Sequence, residues 1–225
     1  MAKHLQRAIN QLMEQLIALS AKVENSVKRS VQSLEENDIP LAEQVIKDDS
    51  EIDKREIDIE EECLKIFALH QPVAVDLRYL VAVLKINNDL ERIGDLGQNI
   101  AGHTLRILRN PVLVKPVQLD VTPIYQKVQI MLKKSIDAIV NLDVKTAGEI
   151  LKADDEVDRL HRDYAQRVVE EIRKNPDKAE VLIQYIHVAR HLERIADHTT
   201  NIAEDVIYLI EGEIVRHSSF AQNRG

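Results

Sequence analysis

Apolar side chains recur every three or four residues through most of the chain, which is the period of an amphipathic α-helix. Clusters of Pro, Gly and Asn interrupt this pattern and divide the chain into six long helical stretches. In the first stretch the predicted buried face comprises Leu12, Leu16, Leu19, Val23, Val27, Ser30 and Leu34. The pattern therefore predicts an all-α protein.

Helix-start and helix-stop residues give approximate boundaries for these stretches. The first helix is predicted over about residues 3–36, and the second opens at Pro40, for which Asp38 is a suitable N-terminal cap, and continues to about "ALHQP". The third is predicted over about residues 75–109. The fourth, fifth and sixth are separated near "NLDVK" and "KNPDK".

The stretch "NPVLVKPVQLDVTP" contains three prolines and separates two related halves. A shift of 105 residues aligns 22–58 with 127–163 at 11 identities in 37 positions, and a shift of 102 aligns 90–101 with 192–203 at 8 identities in 12. We predict two pseudo-symmetric antiparallel three-helix bundles. The expected units are a first repeat at 1–110, a linker at 111–120, a second repeat at 121–217 and a disordered tail at 218–225.

Composition agrees with a helical protein and excludes several classes of function. Hydrophobic residues make up 44% of the chain and aromatic residues only 3%. The formal net charge of −8 argues against nucleic acid as a partner, because binding to phosphate backbones needs a basic face. A single cysteine, Cys63, and an N-terminus without the features of a signal peptide predict a cytoplasmic protein, at most peripheral to a membrane.

The repeat also shows which polar residues both halves retain. They are Asp49, Asp53, Glu91, Asp95 and Asn99 in the first half, and Asp154, Asp158, Glu193, Asp197 and Asn201 in the second. If the second and third helices form an antiparallel hairpin, residues equidistant from its turn face each other. Asp53 and Glu91 are equidistant from Pro72, and so are Asp49 and Asp95. Four carboxylates of each repeat are therefore predicted to converge at one level of the bundle.

Four converging carboxylates cannot all ionise without a positive counter-charge. A polyvalent cation supplies one, and carboxylate and amide oxygens suit hard ions such as Mg²⁺, Mn²⁺, Ca²⁺ or iron. We hypothesise one metal site on each repeat, with iron, manganese, magnesium and zinc as the candidate ions in divalent or trivalent form. In the alternative interpretation, Lys28 and Lys133, or Arg92 and Arg194, neutralise the carboxylates in an ion-pair network.

Histidines give weaker signals. His187 and His191 have the four-residue spacing of a zinc-binding pair, but Lys85 and Asp89 occupy the equivalent positions of the first half, so surface histidines are the favoured interpretation. His198 follows Asp197 and is considered only as an outer ligand. A di-iron carboxylate oxidase or a metal-storage bundle is the rival function, yet it requires histidine ligands, which the repeated positions do not supply.

The retained residues lie within two long motifs, "QPVAVDLRYLVAVLKINNDLERIGDLGQNIA" and "RHLERIADHTTNIAEDVIYLIEGEIVRH", together with the preceding acidic pairs. These motifs resemble those of the PhoU family of bacterial phosphate-uptake regulators. The resemblance extends over nearly the whole chain and implies two three-helix bundles. It also implies multinuclear metal sites at four E/D-x-x-x-D motifs, which here are Asp49–Asp53, Glu91–Asp95, Asp154–Asp158 and Glu193–Asp197, with Asn99 and Asn201 as adjacent candidates.

The same resemblance implies a regulatory function without enzymatic activity. PhoU-like proteins act as adaptors between the ATPase of a phosphate ABC transporter and a membrane sensor histidine kinase, and they restrain phosphate uptake and expression of the phosphate regulon. We also expect a homodimer, because long apolar helices offer oligomer faces, although no residue assigns the interface. The protein is expected to reach the membrane only through its partners. A metal-free helical scaffold stays open as a further alternative.

Overall fold

The computed structural model describes residues 2–111 and 119–212, and this part of the chain contains six α-helices and one short 3₁₀ turn. The helices are α1 (Ala2–Glu35), α2 (Ile39–His70), α3 (Ala74–Leu108), α4 (Thr122–Asn141), α5 (Val144–Lys174) and α6 (Ala179–Glu211). The 3₁₀ turn, Pro176–Lys178, precedes α6. Most of the predicted linker at 111–120 and all of the predicted tail at 218–225 lie outside the described residues.

The helix boundaries follow local capping chemistry. Asp38 is extended and accepts a hydrogen bond from the backbone N–H of Leu41 at 2.9 Å, and Pro40 lies in the first turn of α2. The equivalent residue of the second repeat, Asp143, accepts from the N–H groups of Lys145 and Thr146 at the start of α5. The predicted second and third helices differ from α2 and α3 by one residue at their starts, which is the ordinary uncertainty of helix ends.

The helices form two bundles, as predicted. α1, α2 and α3 pack against one another, and so do α4, α5 and α6. The two bundles contact each other mainly through α3 and α6, with a smaller contact between α1 and α4. One hydrophobic core runs through both bundles, and it includes the whole predicted stripe of α1: Leu12, Leu16, Leu19, Val23, Val27 and Leu34 are buried, and so is Ser30.

Polar contacts join α3 to α6 across the interface between the repeats. Lys85 Nζ lies 3.0 Å from Oδ1 of Asp205, which is only 3% exposed. Asp89 Oδ1 lies 2.8 Å from Nδ1 of His198 and accepts a hydrogen bond from Asn201 Nδ2 at 3.2 Å. These contacts fix the register of the two central helices. None of the helices among the described residues is long and apolar enough to cross a membrane.

Candidate metal centre

The first carboxylate cluster forms where the hairpin geometry predicts it. α2 ends at His70 and α3 begins at Ala74, so the hairpin is centred on Pro72 and brings the two acidic pairs together. Asp49, Asp53 and Asp95 each present a carboxylate oxygen, and these oxygens all lie within 4.8 Å of one another. Asp49 is buried, Asp95 is half-buried and Asp53 is exposed, so the cluster opens from the core to the surface.

Two glycines of α3 allow the helices to approach closely at this level. A Cβ at Gly94 would lie 3.0 Å from Cγ2 of Ile52 on α2 and 3.6 Å from Oδ1 of Asp49. A Cβ at Gly97 would lie 3.3 Å from Oγ of Ser26 and 3.5 Å from the backbone nitrogen of Val27, both on α1. Both glycines therefore permit close contact between the helices.

Burial and mutual repulsion disfavour the ionised form of the first cluster. Burial, followed by the negative charges of Asp53, Asp95 and Glu91, raises the pKa of Asp49 to about 6. Burial and Asp95 raise the pKa of Glu91 as well. Asp49 Oδ1 and Glu91 Oε2 are buried and accept no hydrogen bond. Buried oxygens of this kind are costly unless a positive charge compensates them, and a bound cation fits that need.

Protein cations neutralise the first cluster only in part. Arg92 lies 3.4 Å from both Glu91 and Asp95, but its side chain is more than half exposed, so these contacts are weak. Lys28 and Lys133 are exposed and make no ion pair with any described residue. The structure therefore does not contain the lysine-neutralised network of the alternative interpretation.

Gln98 is a neighbour of the cluster that the sequence did not reveal. Its Nε2 donates a hydrogen bond of 2.7 Å to Oδ2 of Asp49. The helical period places both Gln98 and Asn99 near Asp95, since they follow it by three and four residues, but it does not tell which of the two contacts Asp49. Asn99, the predicted neighbour, is exposed. The Asn201 amide donates to Asp89 of α3, so both asparagines stay predictions as metal ligands.

We expect Gln98→Leu to destabilise the metal-free protein at pH 7 by about 1–2 kcal/mol, because it leaves the Asp49 carboxylate without its donor. At pH 4.5 the loss should be smaller, since Asp49 is then protonated. Urea unfolding followed by circular dichroism in the presence of a chelator measures both values.

The matched control for this variant is Thr200→Val. Thr200 is equivalent to Gln98 in the second repeat, and its hydroxyl donates to the Asp197 carbonyl of its own helix. We expect no pH-dependent loss in the control. An equal loss at both pH values in Gln98→Leu would contradict a role for Gln98 in holding the Asp49 carboxylate.

The second cluster has the same composition and the same electrostatic signature. Asp154 and Asp158 lie on α5, and Glu193 and Asp197 lie on α6. Burial, followed by the charges of Asp197 and Asp158, raises the pKa of Asp154 to about 6, and burial raises the pKa of Glu193 and Asp197 too. Among the described residues only the first cluster already has three ligand oxygens within 4.8 Å, so the second cluster is looser.

Fold and site together define a class of protein: an all-helical molecule of two three-helix repeats, each with a cluster of four carboxylates on its second and third helices. A family model described as "PhoU domain" matches this chain twice, at residues 16–104 and 121–206. The chain belongs to the PhoU family.

Curated relatives and solved structures agree with this membership. The chain is 36% identical over 211 residues to the "Phosphate-specific transport system accessory protein PhoU homolog" of Aquifex aeolicus, with 94% of this chain and 95% of the relative covered. It is 34% identical over 218 residues to the homologue of Pseudomonas aeruginosa, with 95% and 90% covered.

Two crystal structures have the same fold. PhoU from P. aeruginosa superposes with a TM-score of 0.88 at 33% identity, covering 92% of this chain and 99% of that chain. "The phosphate transport system regulatory protein PhoU from Streptococcus pneumoniae" superposes with a TM-score of 0.85 at 26% identity, covering 94% and 99%.

Proposed function

We propose that this protein is a metal-dependent regulatory accessory of a phosphate-specific transport system. In this function it restrains phosphate uptake and represses the phosphate regulon when phosphate is plentiful. The names of the relatives, a transport system accessory protein and a phosphate transport system regulatory protein, support the phosphate part of this proposal. The paired carboxylate clusters support the metal-dependent part.

The observation that carries the metal proposal is the buried Oδ1 of Asp49, which has no hydrogen-bond partner and lies beside the carboxylates of Asp53 and Asp95. Asp49, Asp53, Glu91 and Asp95 would hold the ion or ions of the first repeat. Asp154, Asp158, Glu193 and Asp197 would hold those of the second. When bound, the metal supplies a concentrated positive charge at the helix surface, where the exposed Asp53 opens the site to solvent.

We infer that this surface binds a partner rather than a substrate, and that the protein has no catalytic activity of its own. The proposed partners are the ATPase of a phosphate ABC transporter and a sensor histidine kinase. A metal ion with an open coordination position attracts a carboxylate or a phosphate group, so metal loading changes what the surface binds. The protein is proposed to work in the cytoplasm as a homodimer and to reach the membrane only through these partners.

Partner affinity in defined metal states tests this function. The purified protein, loaded with Mn²⁺ or stripped by a chelator, is titrated onto the immobilised ATPase and onto the cytoplasmic part of the kinase. We expect Asp95→Asn with Asp197→Asn to weaken binding at least 10-fold in the loaded state and to change little in the stripped state. These substitutions remove one ligand charge from each cluster and keep the shape of the side chain.

The matched control is Asp58→Asn with Asp163→Asn. These two aspartates are also equivalent in the repeats and lie on α2 and α5, but they are exposed and outside the clusters. The control should bind both partners like the parent. Equal affinities for the parent, the cluster variant and the stripped protein would contradict the proposal.

A further inference from the structure

Three histidines meet between α3 and α6, at the interface of the two repeats. The His103 ring on α3 stacks on the His187 ring with centroids 5.0 Å apart and an interplanar angle of 19°. It lies 5.1 Å from the ring of His191, one helical turn further along α6, at an angle of 32°. We call these three residues the histidine cluster. It is distinct from both carboxylate clusters, and sequence spacing alone did not associate His103 with the other two.

The pseudo-symmetry of the molecule makes this cluster unusual. A shift of 102 residues relates His103 to Asp205 and Lys85 to His187. The pair Lys85 and Asp205 forms an ion pair of 3.0 Å in one half of the interface, whereas His103 and His187 stack in the other half. Equivalent positions of the two repeats therefore form an ion pair in one half of the interface and a stacked pair of imidazoles in the other.

The spacing of the rings suits a divalent transition ion. His187 and His191 are four residues apart on one face of α6, which is the spacing of helical zinc pairs. Zn–N bonds of about 2.0–2.1 Å arranged tetrahedrally place the centroids of two bound imidazoles about 5 Å apart. The observed centroid distances of 5.0 and 5.1 Å are of this size, although the rings are stacked or tilted on one another and would have to turn their nitrogens toward the ion. Imidazole nitrogen prefers zinc, copper or nickel, in contrast to the oxygen ligands of the carboxylate clusters.

Hydrogen-bond neighbours of His103 lie at one of its two ring nitrogens. Its Nδ1 lies 2.8 Å from Oε1 of Gln184 and 3.3 Å from a guanidinium nitrogen of Arg106. Nε2 is therefore the nitrogen of His103 that would bind an ion. An outer partner on the second ring nitrogen is typical of metal-binding histidines. Burial also lowers the pKa of His103, which keeps it neutral. His191 Nδ1 is buried and has no hydrogen-bond partner.

We propose that His103, His187 and His191 bind a divalent transition ion of the zinc class and thereby link the two repeats. The rings must rotate to place their nitrogens on one ion, because among the described residues only the first aspartate cluster already has three ligand atoms within 4.8 Å. The guanidinium of Arg106, which lies 3.3 Å from His103 Nδ1, opposes a cation, but it is exposed and screened by solvent.

Zinc titration of the full chain carrying Asp95→Asn and Asp197→Asn tests this site with the carboxylate clusters weakened. Calorimetry should find one Zn²⁺ per chain, and Mg²⁺ should not replace it. Because the ion joins α3 to α6, Tm should rise by about 5–10 °C when free Zn²⁺ exceeds its Kd about 100-fold. Bound Co²⁺ should give the intense visible absorption of a nitrogen-ligated tetrahedral site. Absence of both the Tm rise and this absorption overturns the proposal without any further variant.

The deciding variant in the same background is His103→Asp with His187→Lys, which copies the ion pair of the other half and removes two ligands. It should abolish zinc binding and the cobalt absorption while leaving the metal-free Tm within a few degrees. His198→Ala is the matched control, since it removes an interface histidine outside the cluster and should retain both signals. Retention of the cobalt absorption in the double variant, or its loss in His198→Ala, overturns the proposal, because the weakened carboxylate clusters supply no nitrogen ligand. The zinc experiment uses no partner protein and a chain with weakened carboxylate clusters. Its result therefore neither supports nor contradicts the proposed regulation of partners by those clusters.

Discussion

Asp49→Asn with Asp154→Asn is expected to stabilise the metal-free protein at pH 7 and to abolish its stabilisation by metal. In the folded chain both aspartates have a pKa of about 6, well above the value of 3.8 for a free side chain. Folding therefore favours their protonated forms. Their contribution to stability is complete below about pH 4, falls as the pH rises to about 6, and is absent above that.

The size of this change in stability follows from the shift in pKa. For the buried Asp49, a pKa raised by about two units corresponds to about 2–3 kcal/mol of stability lost between pH 4 and pH 7. Asparagine cannot ionise and avoids this loss. The variant should therefore be more stable than the parent at pH 7 without metal, and less stable than the parent when Mn²⁺ is present, because the ion then stabilises only the parent.

Urea unfolding of parent and variant at pH 4.5, 6 and 7, with a chelator or with Mn²⁺, measures this reversal. The difference in free energy of unfolding between parent and variant cancels the contributions of the other titrating groups, which the two proteins share. Asp58→Asn with Asp163→Asn is the control, and it should follow the parent under every condition. A difference between parent and cluster variant that is independent of pH would contradict the assignment, and so would equal stabilisation of both by Mn²⁺.

Gly97→Leu is expected to have the largest effect among substitutions outside the carboxylates, a loss of about 3 kcal/mol. A Cβ at this position lies 3.5 Å from the backbone nitrogen of Val27 and 3.6 Å from the carbonyl carbon of Ser26, so a leucine must push α1 away from α3. Backbone cannot rotate out of the way as a side chain can. Displacing α3 also moves Asp95, so metal affinity should fall with stability.

Gly102→Leu provides the comparison on the same helix. A Cβ there meets nothing within 4 Å, and replacing a helical glycine gains up to about 1 kcal/mol in helix propensity. Thermal unfolding of the two variants should therefore give shifts of opposite sign. If Gly97→Leu were as stable as Gly102→Leu, the close contact between α1 and α3 would not be a determinant of the fold.

The sequence predicts the fold well because its information is local and repeated. Helical period, the Asp38 cap and the proline-rich boundary are properties of short segments. Once the second and third helices form a hairpin, counting residues in both directions from Pro72 is enough to pair Asp49 with Asp95. The internal repeat supports this pairing independently, since the same count in the second repeat pairs Asp154 with Asp197.

Helical period and capping residues do not predict the direction of individual side chains or the way in which the two repeats pack together. Gln98 and Asn99 are adjacent, and only the structure shows that Gln98 contacts Asp49. Likewise, Asn201 contacts Asp89 because α6 packs on α3, a contact between repeats that no spacing within one repeat predicts. The grouping of His103 with His187 has the same origin.

The metal content of the purified protein tests the central claim most directly. Plasma mass spectrometry is applied to the parent and to Asp95→Ala with Asp197→Ala, both after loading with iron or Mn²⁺ and removal of unbound ions. We predict at least one ion per repeat in the parent and a loss of most of it in the variant. A parent without metal after loading, or a variant that retains the full amount, would contradict the assignment of the carboxylate clusters as metal sites.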